Sequence, residues 1–228
     1  MFKIGIIKNT NCNEYYELEK LIKEFAVNVF LVQNNNLNGK TRVEKETIIK
    51  NYDKYLSKEE LKELNEDISS RISLAKKLIN DSVKDKTTRF YIVKVEQEVI
   101  GFQTAQVRMN QGRVEGWRNY AYIKPKYAGR IEDIEDTYGE IKRGNISNIM
   151  YENITQWFKE KDVTIERTAT GKCMYKNILA YIVVKGFIPE KTNNERVYLI
   201  KEYNKTKSRD ELKGIYLEYI KNTNSVKK

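Results

Sequence analysis

A mixed α/β chain, with a mostly antiparallel central sheet flanked by helices, is the fold class this sequence predicts, on three observations. Arg89 to Glu96 (RFYIVKVE) and Val99 to Val107 (VIGFQTAQV) alternate apolar and polar residues, with only Gln97 and Glu98 between them, which is a hairpin pattern. A third alternating run, Val114 to Ile123, closes on Lys124-Pro125, where a strand must stop because proline has no ladder N–H. Finally, VTIERTATGKCMYKNILAYIVVKGF reads as a strand from Val163 to Ala169 and a helix from Lys172 to Lys185. Gly186 then stands where a left-handed cap would end the helix, Phe187 can fold back on its last turn, and Pro189 follows.

The remaining elements fall in order around these. Phe2 to Ile7 is a first strand, and Tyr15, Leu18, Leu21, Ile22 and Phe25 mark an amphipathic helix. Asn34 to Lys40 is a polar loop. Ser57 and Glu60 form a capping-box pattern ahead of Leu61, Leu64, Ile68, Ile72, Ala75 and Leu78. Ile146, Ile149, Met150, Ile154, Trp157 and Phe158 share one face of a helix ending near Glu160, and Arg196 to Tyr203 is a last strand. In the tail, Ser208 and Glu211 repeat the capping box before Leu212, Ile215, Tyr216, Tyr219 and Ile220, and NTNSVKK should fray. We expect one domain over residues 1–203, with an N-terminal part (1–88) and a core (89–203), then a C-terminal helix and tail over 204–228. Ala26 to Val32 and Thr41 to Tyr55 exceed what this plan needs.

Bulk properties narrow the function. At 228 residues the chain has room for a sizeable core. The apolar run of MFKIGIIK is too short for a signal peptide, and no stretch is long enough to span a bilayer. Cys12 and Cys173 are too few for a disulfide framework, which suggests free thiols and a cytoplasmic protein. Net charge is +10, from 42 Lys and Arg against 32 Asp and Glu, but lysine is dispersed and no nucleic-acid motif appears. Attraction to nucleic acid is therefore the weaker reading of that charge. There is no histidine, which excludes Ser-His-Asp and Cys-His machinery, a histidine base and most zinc sites. Chemistry must come from carboxylates, Tyr, Lys, hydroxyls, thiols and backbone amides. Direct attack of an amine on a thioester needs no more.

The order of strand, strand, strand, loop, helix, strand, helix, Gly-Phe, strand over residues 89–203 resembles the GNAT N-acetyltransferase superfamily. VIGF, YIKPKYAG, RGNIS and KGFIPE carry the resemblance together, although none is specific alone. It implies a GNAT-like fold, acetyl-CoA as acyl donor, and an amine acceptor on a small molecule or on a protein lysine or N-terminus. It also implies a glycine loop whose backbone N–H groups hold the coenzyme pyrophosphate at a helix N-terminus. Two partial matches to that loop exist. One is Lys126-Tyr127-Ala128-Gly129-Arg130-Ile131 and the other Ile141-Lys142-Arg143-Gly144-Asn145-Ile146, each with Ile where a second Gly or Ala belongs. An insertion of 15 residues, the separation of Gly129 from Gly144, reconciles them. The second match is preferred, giving Lys142, Arg143, Gly144, Asn145, Ile146 and Ser147 as phosphate contacts, with Gly129 and Arg130 as the alternative. The insertion itself (IEDIEDTYGE) reads as solvated surface, or more sharply as an acidic lip for basic acceptors, with Tyr138 and Trp117 adding cation–π contacts.

An acceptor ammonium with a pKa of roughly 10.4 must lose a proton. Glu115 on the central strand is the candidate base, directly or through water. The resemblance implies an oxyanion site of backbone N–H groups near Ile123 and Lys124, and a Tyr acid four residues before the Gly of Gly-Phe. Ile182 stands there instead, leaving Tyr181 and Tyr175 as substitutes. Cys173 as a nucleophile is the remotest reading, with no partner to lower its pKa. Two alternatives remain: a catalytically degenerate binding module of the same fold, and a basic nucleic-acid-associated protein. The tail helix packs on its own domain or forms a dimer contact.

Overall fold

The computed structural model describes residues 1–84, 86–172, 174–193 and 195–225. Cys173 and the last three residues of the tail lie outside these. In chain order the elements are β1 (Phe2–Ile6), α1 (Asn13–Gln33), α2 (Arg42–Lys50), α3 (Lys58–Lys84), β2 (Thr88–Val95), β3 (Glu98–Asn110) and β4 (Arg113–Ile123). Then follow β5 (Ile131–Glu135), β6 (Ile141–Asn145), α4 (Ile146–Lys159), β7 (Ile165–Gly171), α5 (Tyr175–Leu179), β8 (Ile188–Thr192), β9 (Arg196–Glu202) and α6 (Arg209–Ser225). The chain divides into two compact units, Met1–Ala105 with Tyr120–Trp157, and Gln106–Asn119 with Phe158–Lys228.

In the first unit the strand order is β6-β5-β1-β2-β3-β4. β1 runs antiparallel to β2 (Phe2↔Val95 to Ile6↔Tyr91) and parallel to β5 (Phe2↔Ile134, Lys3↔Glu135). The apolar stripe of α1 meets that of α3 over the sheet: Leu18, Leu21, Ile22, Ala75, Leu78 and Ile79 pack with Phe90, Ile92, Val99 and Phe102. Each Leu, Ile, Val and Phe among them contributes roughly 1.5–3 kcal/mol on burial. Ala26 to Val32 continues α1 instead of forming a separate piece, and Thr41 to Tyr55 supplies α2. Ala26, Val27, Phe30 and Leu31 build a second cluster with Ile48 and Ile49 of α2 and Leu64 and Ile68 of α3. α2 is held by a capping box, Glu44 N–H donating to Thr41 Oγ1 and Thr41 N–H to Glu44. The Ser57–Glu60 box forms as the sequence suggests, with Ser57 N–H donating to Glu60 at 2.7 Å. Gly101 is needed where it stands, since a Cβ there would come within 3.1 Å of Tyr122 O and Ile123 Cγ1.

The largest departure from expectation is the insertion, which forms a β-hairpin instead of a loop. β5 and β6 pair antiparallel from Ile131↔Asn145 to Glu135↔Ile141, and β5 then extends the sheet beyond β1. Its charges hid this from the sequence, because Asp133 meets Arg143 only across the ladder and Asp136 meets Lys142 only across the turn that closes it.

In the second unit β4, β7, β9 and β8 lie in that order. β4 and β7 pair in parallel from Glu115↔Ile165 to Arg118↔Thr168, and β7 continues against β9 as far as Gly171↔Arg196. Gly116 lets Phe158 lie on the strand, for a Cβ would sit 2.7 Å from its ring. α5 is shorter than expected, and Ala180–Val184 winds on as a π-helical turn. Gly186 has φ +77°, and Gly186 N–H donates to Ile182 O while Phe187 N–H donates to Tyr181 O, so the left-handed cap forms as expected. β8 was missed because Pro189 and a bulge at Pro189/Lys191 break its alternation. In α6, Ser208 N–H donates to Glu211 at 2.7 Å, and the helix runs to Ser225, past the Asn222 at which fraying was expected. No helix among the described residues is long and apolar enough to cross a membrane.

Candidate active site

In the first unit the hairpin changes the meaning of the two glycine matches. Because Ile131 pairs with Asn145, Gly129 and Arg130 lie at the same end of the hairpin as Asn145, Ile146 and Ser147. The matches that compete as sequence are thus two halves of one place, where β6 runs straight into α4. Gly129 takes φ +80° in the turn that follows β4. Asn145 Oδ1 accepts from Ser147 N–H at 2.9 Å and caps the helix. Arg130 is exposed and makes no ion pair among the described residues; its guanidinium lies 5.4 Å from the Tyr127 ring centroid. This places a cation at the positive end of a helix, an arrangement that favours an anion.

Lys142 and Arg143 require a correction. They sit within β6, not in a loop, and they are neutralised there. Lys142 Nζ meets Asp136 Oδ2 at 2.7 Å and Glu140 Oε2 at 3.2 Å, and Arg143 meets Asp133 at 3.5 Å. The hydrogen bond to Asp136 holds the Lys142 ammonium above its ordinary pKa. Burial pushes Asp136 up, but Lys142 and the N–H groups of Tyr138 and Glu140 outweigh it and hold the carboxylate low. Asp133, Asp136 and Glu140 are therefore held within their own hairpin, and Glu135 by Lys3 of β1. Gly144 faces Glu132 within the ladder.

At the end of β4, Lys124 N–H donates to Ile100 O at 2.9 Å, so that amide is not free as the oxyanion donor the resemblance implies. The Ile123 side chain packs against Gly101. Lys124 Nζ (2.6 Å), Lys126 Nζ (3.4 Å) and the Tyr127 hydroxyl (3.2 Å) all converge on Glu98. Beside this group lies a residue that sequence reasoning passed over: Tyr122 donates its hydroxyl to Glu24 Oε1 at 2.8 Å. Burial pushes the Glu24 carboxyl up from its ordinary 4.5, against the Tyr122 hydrogen bond and the charge of Lys124, and Glu46 and Glu98 add repulsion. Burial also holds the Tyr122 phenol well above its ordinary value, so it stays a proton donor. A signal was present, since Glu24 adjoins Phe25 and follows Leu21 by three residues, inside an apolar stripe.

The second unit holds Glu115, Tyr181 and Tyr175. Glu115 is buried and receives Arg167 Nε at 3.0 Å, Asn110 Nδ2 at 3.2 Å and Trp117 Nε1 at 3.3 Å. Burial alone would raise its pKa, but Arg167 and the other donors prevail and hold it below 4.5. Arg167 also pairs with Glu190. Such a carboxylate is ionised and weakly basic. Deeper in the unit, Arg118 and Glu166 form a bidentate pair (3.0 and 3.2 Å) with both side chains fully buried, and the Tyr203 hydroxyl donates to Glu166. Tyr181 stands near them on the π turn, its ring 5.4 Å from Phe187; burial raises its phenol despite a hydrogen bond with Thr168. Tyr175 lies apart at the start of α5, 41% exposed, on the side of Tyr219.

No family model and no curated protein matches this sequence. Solved structures do match. PH1933 from Pyrococcus horikoshii OT3 is 15% identical with a TM-score of 0.50, over 89% of this chain and 99% of that one. The PaiA N-acetyltransferase of Thermoplasma acidophilum, solved with coenzyme A, is 20% identical with a TM-score of 0.49, over 88% and 99%. PseH, an N-acetyltransferase of Campylobacter jejuni solved with acetyl coenzyme A, is 15% identical with a TM-score of 0.41, over 89% and 99%. At these identities the likeness is one of fold. The chain shares the fold of PH1933, a mixed, mostly antiparallel sheet flanked by helices, which is the fold class its sequence predicts.

Proposed function

We propose that this protein is an acetyl-CoA-dependent N-acetyltransferase that acts on a primary amine by direct attack. The observation that carries the reading is the β5–β6 hairpin, which brings Gly129 and Arg130 to the N-terminus of α4 and leaves Arg130 without a carboxylate partner among the described residues. A pyrophosphate fits that charge and those N–H groups. In the reaction the amine nitrogen forms a bond to the acetyl carbon, the C–S bond breaks, and the ammonium proton leaves. We assign that proton to Glu24, directly or through water, because its raised pKa brings it nearer the working pH than Glu115. Glu115 then acts by fixing Arg167. The coenzyme leaves as its thiolate, which takes a proton from solvent. The acceptor is an amine on a small molecule or a protein.

Calorimetric titration with acetyl-CoA, followed by thiol release against a panel of amines, tests this. Wild-type protein is expected to bind and turn over, Arg130→Ala to bind about tenfold more weakly, and Arg143→Ala to bind as wild type. Equal losses in the two variants would sink the composite anion site. Binding without turnover on any amine would favour the degenerate binding module, a reading that the occupied Lys124 N–H supports.

A further inference from the structure

In the second unit one face of the sheet is buried and the other stays open. On β7 and β9 the covered positions are Glu166, Thr168, Val197 and Leu199, each at most 3% exposed. Residues paired across a ladder share a face, so Trp117↔Arg167, Ala169↔Tyr198 and Gly171↔Arg196 all lie on the opposite side. Lys191 of β8 pairs with Tyr198 and joins them, its Nζ 4.8 Å from the Tyr198 ring centroid. Arg108 of β3 comes in from the other flank, its guanidinium 5.6 Å from the Trp117 ring centroid. Both rings are half-buried, whereas Arg108, Lys191 and Arg196 are exposed.

The charges on this face do not balance. Its acids are taken, for Arg167 holds both Glu115 and Glu190, and Lys205 holds Glu202. Arg108 donates to the neutral Gln106 at 2.6 Å. Neither it nor Lys191 nor Arg196 makes an ion pair among the described residues. Three cations without a counter-charge therefore flank two aromatic rings. The strand between the rings carries the small residues Ala169 and Gly171, which leave them accessible.

A partner for this face must offer repeated negative charge together with flat apolar groups. An acidic peptide supplies the first without the second. A single strand of nucleic acid supplies both, with phosphates for the cations and bases for the rings and the Arg108 plane. We propose that this open face binds single-stranded nucleic acid without sequence preference. Bases stack on Trp117 and Tyr198, and the backbone follows Arg108, Arg196 and Lys191. No motif marks the site in the sequence, because these residues meet only when three separate strands lie side by side. The site needs no coenzyme and is independent of acyl transfer.

The test uses the full chain and a labelled oligothymidylate of about 12 nucleotides, read by anisotropy and by tryptophan emission. Of the two tryptophans Trp117 is the reporter, since Trp157 is fully buried. We expect binding that quenches Trp117 and weakens with log salt at a slope of about −2, the value for three phosphates on a single strand. Tyr198→Leu should weaken binding several-fold and leave that slope unchanged. Arg108→Gln combined with Lys191→Gln and Arg196→Gln should flatten the slope and abolish most of the binding. Lys54→Gln combined with Lys62→Gln and Lys77→Gln, exposed lysines of the first unit, removes the same charge and should bind as wild type. Equal losses in the two triple variants would overturn the proposal, since net charge alone would then explain the binding. Folded protein that fails to bind at about 50 mM salt would overturn it too. Equal affinity for polyglutamate, insensitive to Tyr198→Leu, would assign the face to an acidic protein instead.

Discussion

Glu24 in the first unit and Glu115 in the second begin with the same side chain, and burial is the largest influence on each, yet their pKa values move to opposite sides of 4.5. The difference lies in the partner. Glu115 meets an arginine, an amide and an indole N–H, all of which favour its charged form. Glu24 meets one phenol and the more distant charge of Lys124, set against two neighbouring carboxylates. Burial sets the size of the penalty, whereas the neighbours decide its sign. Arginine-held carboxylates recur in the second unit, at Glu115, Glu166 and Glu190, and there they serve architecture. The carboxylate in the first unit is left able to take a proton.

The largest expected effect breaks the architectural side. Glu166→Gln leaves Arg118 buried without a counter-charge, which should cost about 3–5 kcal/mol, read from denaturant unfolding. A cost below about 1 kcal/mol would mean that the pair is solvated, and the contrast with Glu24 would lose its footing.

Next comes catalysis. Glu24→Gln is expected to lower kcat by about 100-fold and to remove the acid limb of the pH–rate profile, while Glu115→Gln changes kcat only a few-fold. The reverse ranking would return the base role to Glu115.

Stability against pH separates the two carboxylates without any substrate. The folded pKa of Glu24 lies above its unfolded value, so the native state binds the extra proton and its stability falls as pH rises above about 4.5. Glu24→Gln should therefore be more stable than wild type at pH 7, and the gap should close in acid. The folded pKa of Glu115 lies below 4.5, so its contribution is present at neutral pH and is lost as pH falls through that lower value. Glu115→Gln should be destabilised at pH 7, again with a gap that closes in acid. Melting curves at pH 7 and pH 4 decide both, and gaps of the same sign would refute the contrast.

The smallest effect is a shift. Tyr122→Phe removes the hydrogen bond that favours ionised Glu24, so the acid limb of the pH–rate profile should move to higher pH. A shift toward lower pH would show that the phenol acts on some other group.

What could be read in advance follows sequence distance. The capping boxes Ser57–Glu60 and Ser208–Glu211 join residues three apart, and both form. The Gly186 cap and the β2–β3 hairpin are equally local, and both were legible. Glu24 was not, because its meaning depends on Tyr122, 98 positions away. The hairpin at 131–145 was not, because β5 finds its partner in β1, at the other end of the unit's sequence. Lys142 and Arg143 suggested a phosphate loop since nothing in their local sequence shows that Asp133 will face Arg143 across a ladder or that the turn will bring Asp136 onto Lys142.

By itself, then, the sequence determined the period of each element, its stops and caps, the fold class, and the exclusion of histidine chemistry, since all of these depend on residue type and short spacing. Tertiary structure alone decided which charges are cancelled, which carboxylate can accept a proton, and how two half-motifs meet at one helix end. Those depend on the dielectric and neighbours around each group, and a linear chain has neither until strands far apart in sequence lie side by side.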